Sequence, residues 1–184
     1  MYHHKYYMNE YEQILDTNLK NKSRLKKELR SFYERQTGEP LTRPSLEPIK
    51  DAYLININNI SNKKYLIDFL LEIKTSFFVK VQLNIPIDYP FRCPNEVTIN
   101  GCDYKHLLHI NPNYLQKLGY GKTECLCCQS LCCKDIWYVQ HNINDLLKEI
   151  HKNLNNKLRL REILMGEKIV EQFFGHYLPI TEFL

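Results

Sequence analysis

Pro86-Ile87-Asp88-Tyr89-Pro90-Phe91-Arg92-Cys93-Pro94 places three prolines within nine residues. Each proline holds φ near about −65° and withholds a backbone donor, so such a stretch forms a rigid turn at a sheet edge rather than a strand inside one. The expected turn packs its two aromatics, Tyr89 and Phe91, beneath it. On its N-terminal side apolar residues alternate with polar ones: Phe77, Val79, Val81, Leu83 and Ile85. Further back the same alternation runs through Tyr65, Ile67, Phe69, Leu71 and Ile73, and before that through Tyr53, Ile55 and Ile57. On its C-terminal side Val97 and Ile99 make a fourth short run. A period of two predicts strands, and the short connections between the runs predict an antiparallel meander with one face in water.

The other face needs helices. Leu25, Leu29 and Phe32 recur at helical spacing, with Leu15 and Leu19 extending the stripe, which predicts an amphipathic helix over about Asp16–Gln36. Gly38, Pro40, Pro44 and Pro48 stop it. Asn142 is a good N-cap, and Ile143, Leu146, Leu147, Ile150 and Leu154 then line one helical face. A separate last helix is expected over about Leu158–Phe174, ended by Gly175 and Pro179. The predicted class is α+β: an N-terminal helix, a four-stranded antiparallel meander, a long cysteine-bearing loop and C-terminal helices. The chain reads as one domain over 1–184, with a core about 19–154 and a helical extension 155–184.

Composition narrows the function classes. Of 184 residues 43% are apolar and 25% charged, enough to close a core. Lys+Arg 25 against Asp+Glu 21 leaves +4, spread too evenly to demand nucleic acid. Asp68, Glu72, Lys74 and Lys80 interrupt the longest apolar runs, so no membrane span is expected. The first residues lack the apolar core of a secretory signal and the cysteine count is odd, which predicts an intracellular protein with reduced thiols. Alanine occurs only at Ala52, a bias typical of an AT-rich genome such as that of a protist or a large DNA virus.

From Asn100 to about Asn142 the periodicity disappears, and a structureless loop of that length is uncommon unless it carries function. It holds Cys125, Cys127, Cys128, Cys132 and Cys133. Zinc takes four such ligands, yet its structural sites combine two separated pairs, and here all five fall within nine positions, so no metal is assigned. Several cysteines, with Cys93 and Cys102, then read as small buried apolar residues.

Three signatures in this order resemble the ubiquitin-conjugating enzyme family over roughly Leu19–Leu154. The proline stretch resembles the family's Pro-x-x-Tyr-Pro-Phe-x-Pro-Pro, with Cys93 in place of one proline. Gly121-Lys122-Thr123-Glu124-Cys125-Leu126 is similar to the Gly-x-x-Cys-Leu element that carries the thioester nucleophile. Trp137, followed by Ile143, Leu146, Leu147 and Ile150, matches the tryptophan and backing helix that follow that cysteine, with Tyr138-Val139 where the family has Ser-Pro.

The resemblance implies that Cys125 is the nucleophile, with Cys127 and Cys128 as alternatives in the same crowded loop. Asn111-Pro112-Asn113 resembles the family's His-Pro-Asn run, which makes Asn113 the candidate oxyanion donor. A plain turn is the competing reading. His106 and His109 read as loop residues, and Asp135 and Glu124 as solvated charges. Implied partners are ubiquitin or a ubiquitin-like modifier, an activating enzyme, a ubiquitin ligase and a substrate protein. Lys26, Lys27 and Arg30 would face the activating enzyme and Phe91 a ligase. No cofactor is implied, because ATP is consumed earlier, by the activating enzyme. The implied location is cytoplasm and nucleus, or host cytoplasm for a viral chain. The rival reading is an inactive family variant that binds ubiquitin or another protein, consistent with the altered His-Pro-Asn and the missing Ser-Pro.

Overall fold

The computed structural model describes residues 13, 15–19, 23–42, 47–61, 64–94, 96–120 and 126–174, with the backbone alone at 59–61, 112, 113 and 170–174. In chain order these form α1 (Ser23–Thr37), β1 (Ala52–Ser61), β2 (Lys64–Lys74), β3 (Phe77–Pro86), β4 (Glu96–Ile99) and β5 (Cys102–Asp103). Four helices follow: α2 (Tyr104–Leu108), α3 (Pro112–Lys117), α4 (Leu126–Gln129) and α5 (Ile143–Phe174). The protein is α+β. Its strands pair antiparallel in sequence order, β1 to β5, and no described helix is long and apolar enough to cross a membrane.

The meander has one strand more than the alternation predicted. β4 turns through Asn100 and Gly101, whose φ values of 49° and 82° are both positive, into the two-residue β5. Asn-Gly is the pair that suits such a hairpin, because both positions tolerate left-handed backbone. In β1 the expected inward row of Tyr53, Ile55 and Ile57 does not form. Leu54 pairs with Phe69 and Asn56 with Asp68, so Ile55 is an extra residue in a bulge. The bulge moves the buried set from Ala52 and Leu54 to Ile57, leaving Ile55 54% exposed. The rows of β2 (Tyr65 to Ile73) and β4 are buried as expected, and β3 is buried from Val79 to Ile85 while Phe77 is exposed.

Two helices cover the apolar face. α1 packs against β1 and α5 against β2. From α1 come Leu25, Leu29 and Phe32, whose ring meets Phe69 edge-on at 5.0 Å. From α5 come Ile143, Leu146, Leu147 and Ile150, all 0% exposed. The first helix is shorter than the predicted Asp16–Gln36. Residues 15–18 form a separate helical turn, with Leu15 and Leu19 buried. Asn18 Nδ2 donates to the Ile57 carbonyl at 3.1 Å, tying that turn to β1. The two expected C-terminal helices are one, since α5 runs unbroken for 32 residues. Asn155 contacts His151 one turn earlier and Asn156 Nδ2 donates to Tyr120 Oη, so these side chains are engaged away from the helix backbone that they would otherwise compete for. Asn142 and Asp145 cap it reciprocally, Asp145 N to Asn142 Oδ1 at 3.0 Å and Asn142 N to Asp145 Oδ2 at 3.1 Å.

A buried carboxylate locks these parts together. Glu28 is 4% exposed and accepts from Tyr89 Oη at 2.5 Å, from Ile143 N at 3.1 Å and from Arg24 Nε at 2.9 Å. It thus joins α1, the proline turn and the start of α5, where the first helical N–H groups have no partner of their own. Burial, followed by the Glu28 charge, holds the Tyr89 phenol protonated. Glu28→Gln keeps the volume but loses the charge and one acceptor site. We expect it to lower the unfolding free energy by about 1 to 3 kcal/mol, read as a shifted denaturant midpoint at unchanged slope.

Candidate functional site

The cysteine-bearing segment, expected as a structureless loop, carries β5 and three short helices, and it is pinned to α5. Tyr104 Oη donates to Glu149 Oε1 at 3.1 Å and accepts from Asn153 Nδ2 at 2.7 Å. Ser130 Oγ donates to Glu149 Oε1 at 2.6 Å, and the Leu131 N–H to Oε2 at 2.7 Å. One carboxylate on α5 therefore ties the start of the segment to the turn after α4. The sequence reading missed Glu149 and Asn153. Their only signal was placement: Leu146, Glu149 and Asn153 follow one another at helical spacing, so the apolar stripe turns polar where the segment lies.

Between α2 and the turn after α4 lies a cavity of about 490 Å³, bordered by Cys93, Cys127, Cys132 and Cys133 with Lys105 and Lys134. Cys93 and Cys132 are buried, and the Cys93 thiol points to the Cys132 carbonyl at 3.8 Å. Burial pushes the Cys93 thiol up against the opposing pull of Lys105 and Lys134. Burial, then the Glu149 charge, pushes Cys132 up to about 12. Both are protonated, structural thiols at neutral pH. Cys127 and Cys128 sit on α4 with their sulfurs 3.8 Å apart, Cys127 half-buried and Cys128 exposed. Cys102 is exposed on β5, contrary to the expectation of a buried apolar residue. Among the described residues no three His, Cys, Asp or Glu side chains gather as a metal site.

Cys125 and Glu124 lie outside the described residues. The next residue, Leu126, is buried and opens α4. Asn113 falls in α3, in a helical backbone. His106 and His109 are exposed at α2 and its C-cap, and Asp135 is exposed at the rim of the cysteine cavity. Lys26 pairs with Asp16, while Lys27 is exposed.

The proline turn and Trp137 meet. Trp137 is 7% exposed, donates from Nε1 to the Pro90 carbonyl at 2.8 Å, and stacks obliquely against Tyr89 at 6.0 Å and His141 at 5.8 Å. The Tyr89–Pro90 bond is cis. The two aromatics of the turn take opposite sides: Tyr89 is buried, whereas Phe91 is 78% exposed rather than packed beneath. Tyr89 has an internal acceptor in Glu28, and Phe91 has no such anchor. After Trp137, Arg24 donates to the carbonyls of His141 at 2.8 Å, of Gln140 at 3.3 Å and of Val139. An arginine thus braces the chain where Tyr138-Val139 stands. Comparison with family models, with curated proteins and with solved structures finds no match for this chain.

Proposed function

We propose that the protein is a carrier of the ubiquitin-conjugating type, with Cys125 as its nucleophile. The observation that supports this most is the meeting of Tyr89, Pro90, Trp137 and Ile143 around one buried point, through the bonds of Glu28 and the Trp137 ring nitrogen. These residues belong to two of the three signatures of the family resemblance and are separated by more than 40 residues of chain. On this reading the Cys125 thiolate attacks the thioester carbonyl of a modifier held by its activating enzyme. A new carbon–sulfur bond forms, and the activating enzyme's cysteine leaves as a thiolate. A lysine amine of the substrate then attacks the same carbon, loses a proton to solvent and expels Cys125 as a thiolate, leaving an amide. A sulfur nucleophile suits both halves, because it attacks well and also leaves well. Asn113 is the proposed donor to the oxyanion of the second step. Modifier, activating enzyme, ligase and substrate protein are the proposed partners.

The test is a charging assay with ubiquitin, activating enzyme and ATP. The expected result is a heavier band on a non-reducing gel that requires ATP and disappears on reduction. A folded protein that charges with neither ubiquitin nor any ubiquitin-like modifier offered with its own activating enzyme would overturn the reading.

A further inference from the structure

A second cavity, of about 520 Å³, lies between the His109–Tyr114 segment and the C-terminal half of α5. Its trough is apolar, formed by Ile110, Leu160 and Leu164, with two exposed apolar residues at its edges: Tyr114, 40% exposed, and Met165, 52% exposed. Its rim is basic. Lys157, Arg161 and Lys168 follow one another along α5 at intervals of four and seven residues, a stripe of about 16 Å at the rise of an α-helix. Among the described residues no acidic side chain lines the cavity. The described acids on this part of α5 are engaged by cations outside it, Glu162 by Lys74 at 2.5 Å and Glu167 by Lys117. The rim thus sets three basic side chains beside an apolar trough, and an apolar groove with charge at its edge suits a ligand of the opposite charge.

We propose that this groove binds an amphipathic acidic helix of a partner protein, its apolar face in the trough and its carboxylates against Lys157, Arg161 and Lys168. The stripe spans about three helical turns, so a partner helix lying along it would present anchors at i, i+4, i+7 and i+11. The trough favours a peptide over nucleic acid: Ile110, Leu160 and Leu164 make its floor aliphatic, and among the described residues Tyr114 at the edge and His109 are the aromatic rings of the lining, where a run of stacked bases would need successive platforms. A concave site is likewise poorly shaped for a membrane surface, which takes a protruding apolar face. Desolvation weakens the ammonium form of Lys157, and a carboxylate placed beside it would restore that form. The proposal does not draw on thioester chemistry: among the described residues no cysteine lines the groove. His109 borders both cavities, so a helix docked here lies beside the cysteine segment.

The test uses fluorescence anisotropy with the full chain and a labelled helical peptide of about four turns, leucines on one face and glutamates flanking them. The control is the same peptide with lysines for glutamates. The acidic peptide is expected to bind with Kd on the order of 10 μM at low salt, weakening as salt rises, and the control at least about tenfold more weakly. Arg161→Glu with Lys168→Glu should weaken binding of the acidic peptide at least about tenfold with the melting temperature unchanged. Met165→Ser, which removes no charge, should weaken it roughly threefold. Equal binding of both peptides, or binding indifferent to these variants, would overturn the proposal. So would tighter binding of a single-stranded oligonucleotide or of phosphatidylserine vesicles that the charge-reversal variant abolishes.

Discussion

Cys125→Ser is expected to abolish the thiol-sensitive adduct in the charging assay, or to replace it with an oxyester that survives reduction. A hydroxyl is a poor nucleophile without an activating base, but the ester it forms once acylated is more stable than a thioester. The other thiols sharpen the experiment. A thiol held at about 12, as Cys132 is, carries only about one thiolate in 10⁵ at pH 7. Cys93 is shifted the same way and is buried. Neither can substitute for the lost nucleophile, so Cys93→Ser and Cys132→Ser should charge as wild type wherever they fold. Cys102 and Cys133 are accessible as well, but Cys127 and Cys128, half-buried and exposed on α4, stand nearest to Cys125 in the chain and are the alternatives to test first. An adduct that persists in Cys125→Ser and still dissolves on reduction would move the nucleophile to one of them, and the double variant Cys127→Ser/Cys128→Ser would then lose it.

How far the sequence could be read depended on whether a signal was local. Period-two alternation in β2 and β3 was legible because each inward residue lies two positions from the next. The N-cap of α5 was legible because Asn142 and Asp145 are three residues apart. The bulge at Ile55 was not, since register belongs to the pairing of β1 with β2 and a single strand does not encode it. Asn100-Gly101 is a local hairpin signal that alternation alone passed over, β5 being only two residues long. Two helices were expected, one with its apolar face ending at Leu154 and one from about Leu158, and α5 is a single helix through both. The helix continues because its neighbours, Tyr120 among them, supply partners that sequence cannot show. At the candidate site the tryptophan signature pointed to Trp137, which is buried against the proline turn. The charged residues that position that region, Glu28 and Glu149, did not stand out. Glu28 on its own looks like one more acid on a solvated helix face, and only the distant Tyr89 and the start of α5 give it a buried role.

Trp137→Ala should destabilise the protein by about 3 to 5 kcal/mol, the usual range for deleting a buried large aromatic. The indole is 7% exposed and belongs to the same core as Ile143, Leu147 and Ile150, so its removal leaves a void among groups that are themselves fully buried. A second cost adds to the first. The Pro90 carbonyl loses its donor from Nε1, and an acceptor left without a partner in this part-buried position costs about 1 kcal/mol or more. The tilted contact with Tyr89 at 6.0 Å also disappears, and with it the wall that holds the Tyr89 hydroxyl on Glu28. Trp137→Phe separates these contributions: it keeps most of the apolar volume and loses the ring donor, so it should recover more than half of the lost stability. Denaturant unfolding of the three proteins measures the differences. A midpoint unchanged in Trp137→Ala would contradict the packing of the proline turn on Trp137, and the proposed function would lose the observation that supports it most. Charging by Trp137→Phe at wild-type rates would show that the tryptophan acts through the fold, and a transfer slowed at a temperature where the variant is fully folded would instead tie its ring nitrogen to the geometry of the cysteine segment.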